Sequence, residues 1–398
     1  MCSVTLAVAG GLAACGSSGS SAAPAGLNGT EAGVSSNSVY AAEDAAAATS
    51  LTPKTGSFLA GKTTVTVLGS TTPDNGDINP YAIWPVTETV GSVTKGDVLV
   101  DNFNNSSNNQ GTGTTIVDMH SNGSLSVFAS LPSTVSGCPG GVGLTTAMVQ
   151  LKTGWVIVGS LPSSNGLMST AGAGCLLVLS PEGKLVKTIS GSYLDGPWDA
   201  AVKDNGSTAE LFVSNTLIGL SGSSSDKKDI DKGDVVRIDL SETTTSVPKV
   251  TSEQTIADGF AERPDASAFV KGPTGLVLGS SGTLYVGNNL DNSVDAISGA
   301  VTRNTSAGTG SVLTSGGQLA NPLGMALAPD GDVLVANATN GKIVEVTPSG
   351  EQVGEYYADD DIGQEPPGQG DLFDVAVNQA GTGILFVNDA TNTLEELR

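Results

Sequence analysis

Positive charge is scarce in this chain, and histidine is nearly absent. Lys and Arg number 17 against 40 Asp and Glu, with one His, giving a net charge of −23 and an isoelectric point near 4.1. Phosphate recognition needs clustered cations, so nucleic acid is excluded as a partner. The acidity fits a soluble exported protein and would draw cations to it. A single histidine excludes a multi-histidine zinc centre and a Cys-x-x-Cys-His haem site, and argues against a Ser-His-Asp triad. That residue, His120, precedes a Ser-Asn-Gly turn and reads as an exposed turn residue. Any catalysis would fall to carboxylates and a metal. Charged residues make up only 14% of the chain, and good helix formers such as Glu, Lys and Arg are sparse, while Gly reaches 53 of 398. That mixture suits strands and turns. Aromatics are 4%, so a broad aromatic sugar platform is not expected, although Trp84, Trp155 and Trp198 are candidates for one. Trp155 lies inside an apolar strand and reads as core.

Long apolar runs are lacking too. Val4 to Ala14 is apolar but too short to span a bilayer, and it ends in Leu12-Ala13-Ala14-Cys15-Gly16. This resembles the lipobox of bacterial lipoproteins, which implies a cleaved leader (1–15), lipid on Cys15 and an extracytoplasmic address at the cell envelope. The usual Lys or Arg ahead of the apolar run is missing. Residues 16–60 are rich in Ser, Ala, Gly and Thr without apolar period, and read as a flexible tether spanning roughly 35–40 Å. Of four cysteines, Cys2 would leave with the leader and Cys15 would carry lipid. Cys138 and Cys175 remain, an even pair in an oxidising compartment, and are expected to form a disulfide, with two buried thiols as the alternative.

The rest, residues 61–398, repeats itself. Asn321 to Tyr356 contains four apolar pulses separated by turns such as Pro329-Asp330-Gly331-Asp332 and Pro348-Ser349-Gly350. Related phrases begin at Gly196, Gly272 and Gly370, and weaker ones cover about 80–130 and 140–190, making six copies spaced about 40 to 70 residues apart. Short strands joined by Asp-Gly and Ser-Gly turns are antiparallel hairpins. One such unit cannot bury both faces, whereas six stacked around an axis can. The phrase Val335 to Val346, with Asn337, Asn340 and Lys342, resembles the NHL repeat of β-propellers. The match is weaker at Asn288 and Asp291, and at Asp389 and Asn392. The resemblance implies an all-β, six-bladed propeller of four-stranded antiparallel blades. The last copy stops at its third strand, and the lone run Lys62 to Gly69 is expected to supply the fourth, which would also remove two exposed edges.

In such a propeller the ends of the second strands and the starts of the innermost strands share one face around the axis, where ligands of this fold usually bind. The first set is Asn102, Asn215, Asn288, Asn337 and Asp389; their alternative role is capping the turn that follows. In the second set Gly275 and Gly324 are replaced in other copies by Asp199 and Asp374, with Trp198 beside Asp199. Acids in place of glycines at a channel mouth repel one another unless offset. A cation would offset them, and oxygen donors suit Ca2+ or Mg2+. The arrangement is similar to gluconolactonase-like propellers, whose central divalent ion is held by Asp, Glu and Asn; ordinary bonds to neighbouring blades are the alternative for Asp199 and Asp374. The acidic loop Ala358 to Asp371, with Asp359, Asp360, Asp361 and Glu365, lacks EF-hand spacing. The insert Ser221 to Asp234 reads as a lid or partner-contact loop. The leading expectation is a monomeric, membrane-tethered binding module for an envelope protein, peptide or glycan. A metal-dependent hydrolase or lactonase is the alternative, and a structural envelope lipoprotein the third.

Overall fold

A computed structural model describes residues 50–398 apart from 139, 162, 164, 166, 217–227, 266–268, 360–363 and 365. The leader, Cys2, Cys15, nearly all of the tether, the first half of the insert, and Asp360, Asp361 and Glu365 lie outside the described residues.

Six antiparallel sheets follow one another along the chain. Blade 1 consists of β2 (Ile78–Pro85), β3 (Val98–Asn104), β4 (Thr115–Met119) and β5 (Leu125–Ser130). Blade 2 has β6 (Met148–Gln150), β7 (Val156–Ser160), β8 (Cys175–Leu179) and β9 (Leu185–Ile189). Blade 3 has β10 (Pro197–Asp204), β11 (Thr208–Asn215), β12 (Ile230–Ser241) and β13 (Lys249–Asp265), with a short fifth strand, β14 (Phe269–Lys271). Blade 4 is β15 (Pro273–Leu278), β16 (Leu284–Asn288), β17 (Ser293–Ile297) and β18 (Ser311–Ser315). Blade 5 is β19 (Pro322–Leu327), β20 (Val333–Asn337), β21 (Lys342–Val346) and β22 (Gln352–Tyr357). Blade 6 takes β23 (Leu372–Val377), β24 (Ile384–Asn388) and β25 (Thr393–Leu397) from the end of the chain and β1 (Val65–Ser70) from its beginning. The innermost strands touch in the order β2, β6, β10, β15, β19, β23, and β23 returns to β2. The ring is closed.

The second strands explain why the ring holds together. β3, β7, β16, β20 and β24 are buried at every residue, because each faces a neighbouring blade on both sides. Their Val, Ile and Leu content suits that two-sided burial. The turns after them need one residue at positive φ. Gly341 (φ 58), Asn292 (φ 53) and Asn392 (φ 52) occupy the same place, and Asn tolerates it best after Gly. This alignment corrects the register of the last copy. Asn388, opposite Leu372, fills the place of Asn337 opposite Pro322, and Asp389 lies one residue beyond.

Blade 6 closes as expected, with Val65 opposite Leu397 and Ser70 opposite Thr393. The expected tether ends earlier than its composition implies. Residues 51–60 lie across blade 5: Phe58 and Leu59 donate their N–H groups to the Glu345 carboxylate at 2.6 and 2.8 Å, Leu51 donates to Glu355 at 3.1 Å, and Leu59 is fully buried. Composition missed this because one leucine and a few backbone donors do the docking.

Cys138, in the β5–β6 connection, is bonded to Cys175 of β8 across 37 residues of chain. Reducing this bond is expected to lower stability by about 4 kcal/mol, by releasing a loop of this length in the unfolded chain. Urea melts with and without a reductant check it; coincident midpoints would contradict the disulfide.

Candidate functional site

The five sequence-predicted residues at the second-strand ends do not open onto solvent. Asn102, Asn215, Asn288 and Asn337 are buried. Three of them tie the second strand to the segment leading into their own blade's inner strand. Asn102 Nδ2 donates to the Thr71 carbonyl at 2.8 Å, Asn215 to that of Tyr193 at 3.0 Å and Asn337 to that of Gln318 at 2.7 Å. Asn288 Nδ2 donates to Asp291 in the following turn at 3.0 Å and to Asp295 of β17 at 3.3 Å, and Asn388 Nδ2 donates to Asp359 at 2.6 Å. Asp389 is buried too, and its N–H donates to the Asp371 carbonyl at 2.8 Å.

The starts of the inner strands form two layers on the axis. In the upper layer, Tyr81, Trp198 and Phe373 hold equivalent positions in blades 1, 3 and 6, and Phe103 joins them. Tyr81 stacks on Phe373 with centroids 5.2 Å apart and meets Phe103 and Trp198 edge-on at 5.7 and 6.1 Å. Trp198 Nε1 donates to the Tyr81 hydroxyl at 2.8 Å. All four rings are buried. They plug the axis on the side where the sequence placed a mouth, so Trp198 is packing and offers no exposed surface.

One residue further along each strand is the lower layer, where Asp199 and Asp374 sit. Asp199 accepts N–H groups from Ala200 at 2.7 Å and from Leu276 of the next blade at 2.6 Å. Asp374 accepts from Val375 at 2.8 Å and from Ile83, also in the next blade, at 3.0 Å. Gly324 makes room for this: a Cβ there would lie 2.0 Å from Asp374 Oδ1. A third acid, Asp101 of β3, accepts from Ala82 at 2.6 Å. Sequence reading passed over it for its neighbour Asn102. The available signal was an acid inside an otherwise apolar strand, at a place where other blades carry Gly287 or Ala336. Asp101 is fully buried, while Asp199 and Asp374 are half-buried and face a cavity; all three lose hydration, which pushes their pKa values upward. Asp374 rises to about 7, while Asp199 and Asp101 rise well above the usual range, with Asp374 adding repulsion to each.

Below this layer a cavity of about 330 Å3 is lined by Asp199, Asp374 and the residues that follow the axial layer along the inner strands. Its other lining side chains are apolar, including Ile83, Trp84, Leu276, Met325 and Val375. Trp155, by contrast, is core and bonds the Thr243 carbonyl at 2.9 Å.

Gluconolactonases share this ring. A proposed gluconolactonase superposes with a TM-score of 0.52 at 13% identity, covering 88% of this chain and 97% of its own. A glucose dehydrogenase gives 0.51 at 14%, covering 84% and 99%. A gluconolactonase from Xanthomonas campestris gives 0.50 at 13%, covering 88% and 97%. No family model and no curated protein matches the sequence. At these identities the likeness is one of fold.

The axial residues do not fit a calcium or magnesium ion. Calcium takes six to eight oxygens and magnesium a near-ideal octahedron. Among its lining side chains the cavity offers two carboxyls, four oxygens each already accepting one backbone N–H, which falls short of either coordination number while leaving acceptor sites for a single ammonium. The bonds to neighbouring blades are the alternative weighed from sequence.

His120 is more engaged than an exposed turn residue. Its Nδ1 faces Asp97 Oδ2 at 3.0 Å and its Nε2 faces Ser126 Oγ at 3.1 Å. That is the bonding order of an acyl-transfer relay, which a count of one histidine had argued against. No residue of it lines the axial cavity, and Ser126 is exposed on the outermost strand.

Proposed function

We propose that this propeller is a binding module whose axial cavity receives an aliphatic chain ending in a primary ammonium, such as a lysine side chain of a peptide or protein. The observation that carries the reading is the pairing of apolar lining side chains with two half-buried carboxyls that face the cavity. An alkylammonium is apolar along its length and cationic at its tip, and ligand sites of this kind combine apolar walls with a few placed polar groups. A net charge of −23 favours approach of basic partners. The disulfide supports an oxidising, extracytoplasmic address, which accords with a lipid anchor on Cys15.

Calorimetric titration with a short blocked lysine peptide and its norleucine counterpart checks it. The lysine peptide is expected to bind at pH 8 and the norleucine peptide not to. Asp374→Asn is expected to weaken binding at least about 10-fold, the scale of one charge-assisted hydrogen bond. Affinity should rise between pH 6 and 8, because Asp374 ionises near 7 and only its ionised form attracts the ammonium. Equal affinity for both peptides would overturn the reading.

A second reading is lactone hydrolysis, favoured by two carboxyls of raised pKa in one cavity. Gluconolactone hydrolysis followed at constant pH, with and without Ca2+, separates the two. No rate above buffer is expected; a Ca2+-dependent rate lost in Asp199→Asn would establish the lactonase.

A further inference from the structure

We propose that Asp97, Asp118 and His120 form a site for one Zn2+ or Mn2+ ion at the rim of blade 1. The site lies apart from the axial cavity. Asp97 immediately precedes β3, Asp118 is in β4 and His120 follows it, so adjacent strands bring the three together. His120 Nδ1 is 3.0 Å from Asp97 Oδ2 and 3.7 Å from Asp118 Oδ2. Donors held tetrahedrally at about 2.1 Å from one ion lie about 3.4 Å apart, and these two separations bracket that spacing.

Charge balance points the same way. Asp97 and Asp118 are each only 3% exposed, and adjacent enclosed carboxylates are costly unless paired. Among the described residues, the cation that faces both is His120, and only when protonated. An independent observation is that Asp118 Oδ1 is buried with no hydrogen-bond partner among the described residues. The carboxyl whose Oδ2 faces His120 therefore keeps an unsatisfied oxygen.

The surroundings hold the donors in place. Ser121 and Thr94 donate backbone N–H groups to Asp97 at 3.3 and 3.1 Å. Ser126 Oγ, 3.1 Å from His120 Nε2, fixes the ring with Nδ1 toward the acids. Such outer partners set the tautomer of a ligating imidazole. One imidazole with two carboxylates suits Zn2+ or Mn2+, whereas Ca2+ and Mg2+ prefer oxygen alone.

The test uses the untagged full chain carrying Cys2→Ser and Cys15→Ser, dialysed against EDTA and titrated calorimetrically with ZnCl2, MnCl2 and CaCl2. The expected result is one Zn2+ or Mn2+ per chain and no comparable Ca2+ binding. Asp118→Asn and His120→Gln should each weaken binding about 10–100-fold. His120 is the only histidine, so its imidazole nitrogen resonances report the contact directly, and Nδ1 is expected to shift on Zn2+ addition. His120→Gln serves where Asp118→Asn fails to fold, since His120 is partly exposed. No binding of either metal to the folded chain, equal affinity for Ca2+, or affinity unchanged in folded His120→Gln would each overturn the proposal.

Discussion

Deleting residues 62–70 is expected to abolish cooperative folding of the whole ring. β1 is the only part of blade 6 that comes from the start of the chain, and it pairs with β25 from Val65–Leu397 to Ser70–Thr393. Thr63 and Thr64 add two further bonds to the Arg398 carbonyl, at 2.9 and 3.0 Å. At about 1 kcal/mol for each ladder bond, the pairing contributes about 5 kcal/mol, a large part of the 5–15 kcal/mol that separates folded from unfolded domains. The loss is larger still because β25 becomes an open edge and Leu68 leaves the core beneath it. Removing residues 16–49 should leave the melting temperature within about 2 °C, since the docked segment begins at residue 51. Thermal melts of the two truncations are the check. Matching curves would contradict closure.

Stability is expected to fall as pH rises from 5 to 8, in the direction opposite to a protein held by carboxylate ion pairs. The sign follows from the axial acids. Asp374 titrates near 7 in the folded chain and near 3.9 when unfolded. Between those values the folded state holds a proton that the unfolded state has released, so each pH unit subtracts about 1.4 kcal/mol. From pH 5 to 8 Asp374 accounts for about 3 kcal/mol. Asp199 and Asp101, also raised well above the usual carboxylate range by burial, act in the same sense. Asp234 and Glu242, each raised to about 7 by burial, add to the slope. Urea midpoints measured from pH 5 to 8 should therefore decline, and Asp374→Asn should flatten the decline. A midpoint rising over this range, or an equal slope in the variant, would contradict the buried axial layer.

The ring was legible from the chain because hairpin turns and two-sided apolar strands are local signals, repeated six times. Closure through Lys62 to Gly69 was legible because a strand without a blade and a blade without a strand are both visible in one dimension. The axial site was legible only in part. Asp199 and Asp374 stood out as acids where Gly275 and Gly324 recur, yet the side from which they are reached depends on ring packing one residue away. Tyr81, Trp198 and Phe373 come from three blades, and nothing local tells that they meet. Asp389 was assigned the place of Asn388 because an Asp is usual in the repeat, and only the strand register separates adjacent candidates. The Asp97–His120 contact crosses from the loop before β3 to the end of β4, so its 3.0 Å approach has no mark in the sequence.

The most direct measurement of the central claim, that the ring encloses a pair of carboxyls on its axis, is the titration of the Asp374 side-chain carbon by NMR. Its resonance is identified as the one missing in Asp374→Asn. A midpoint close to 7 is expected, falling when the lysine peptide is added, because an ammonium beside the carboxyl favours its ionised form. A midpoint near 4 in the folded protein would place Asp374 in water, and would contradict both the enclosed axis and the binding reading built on it.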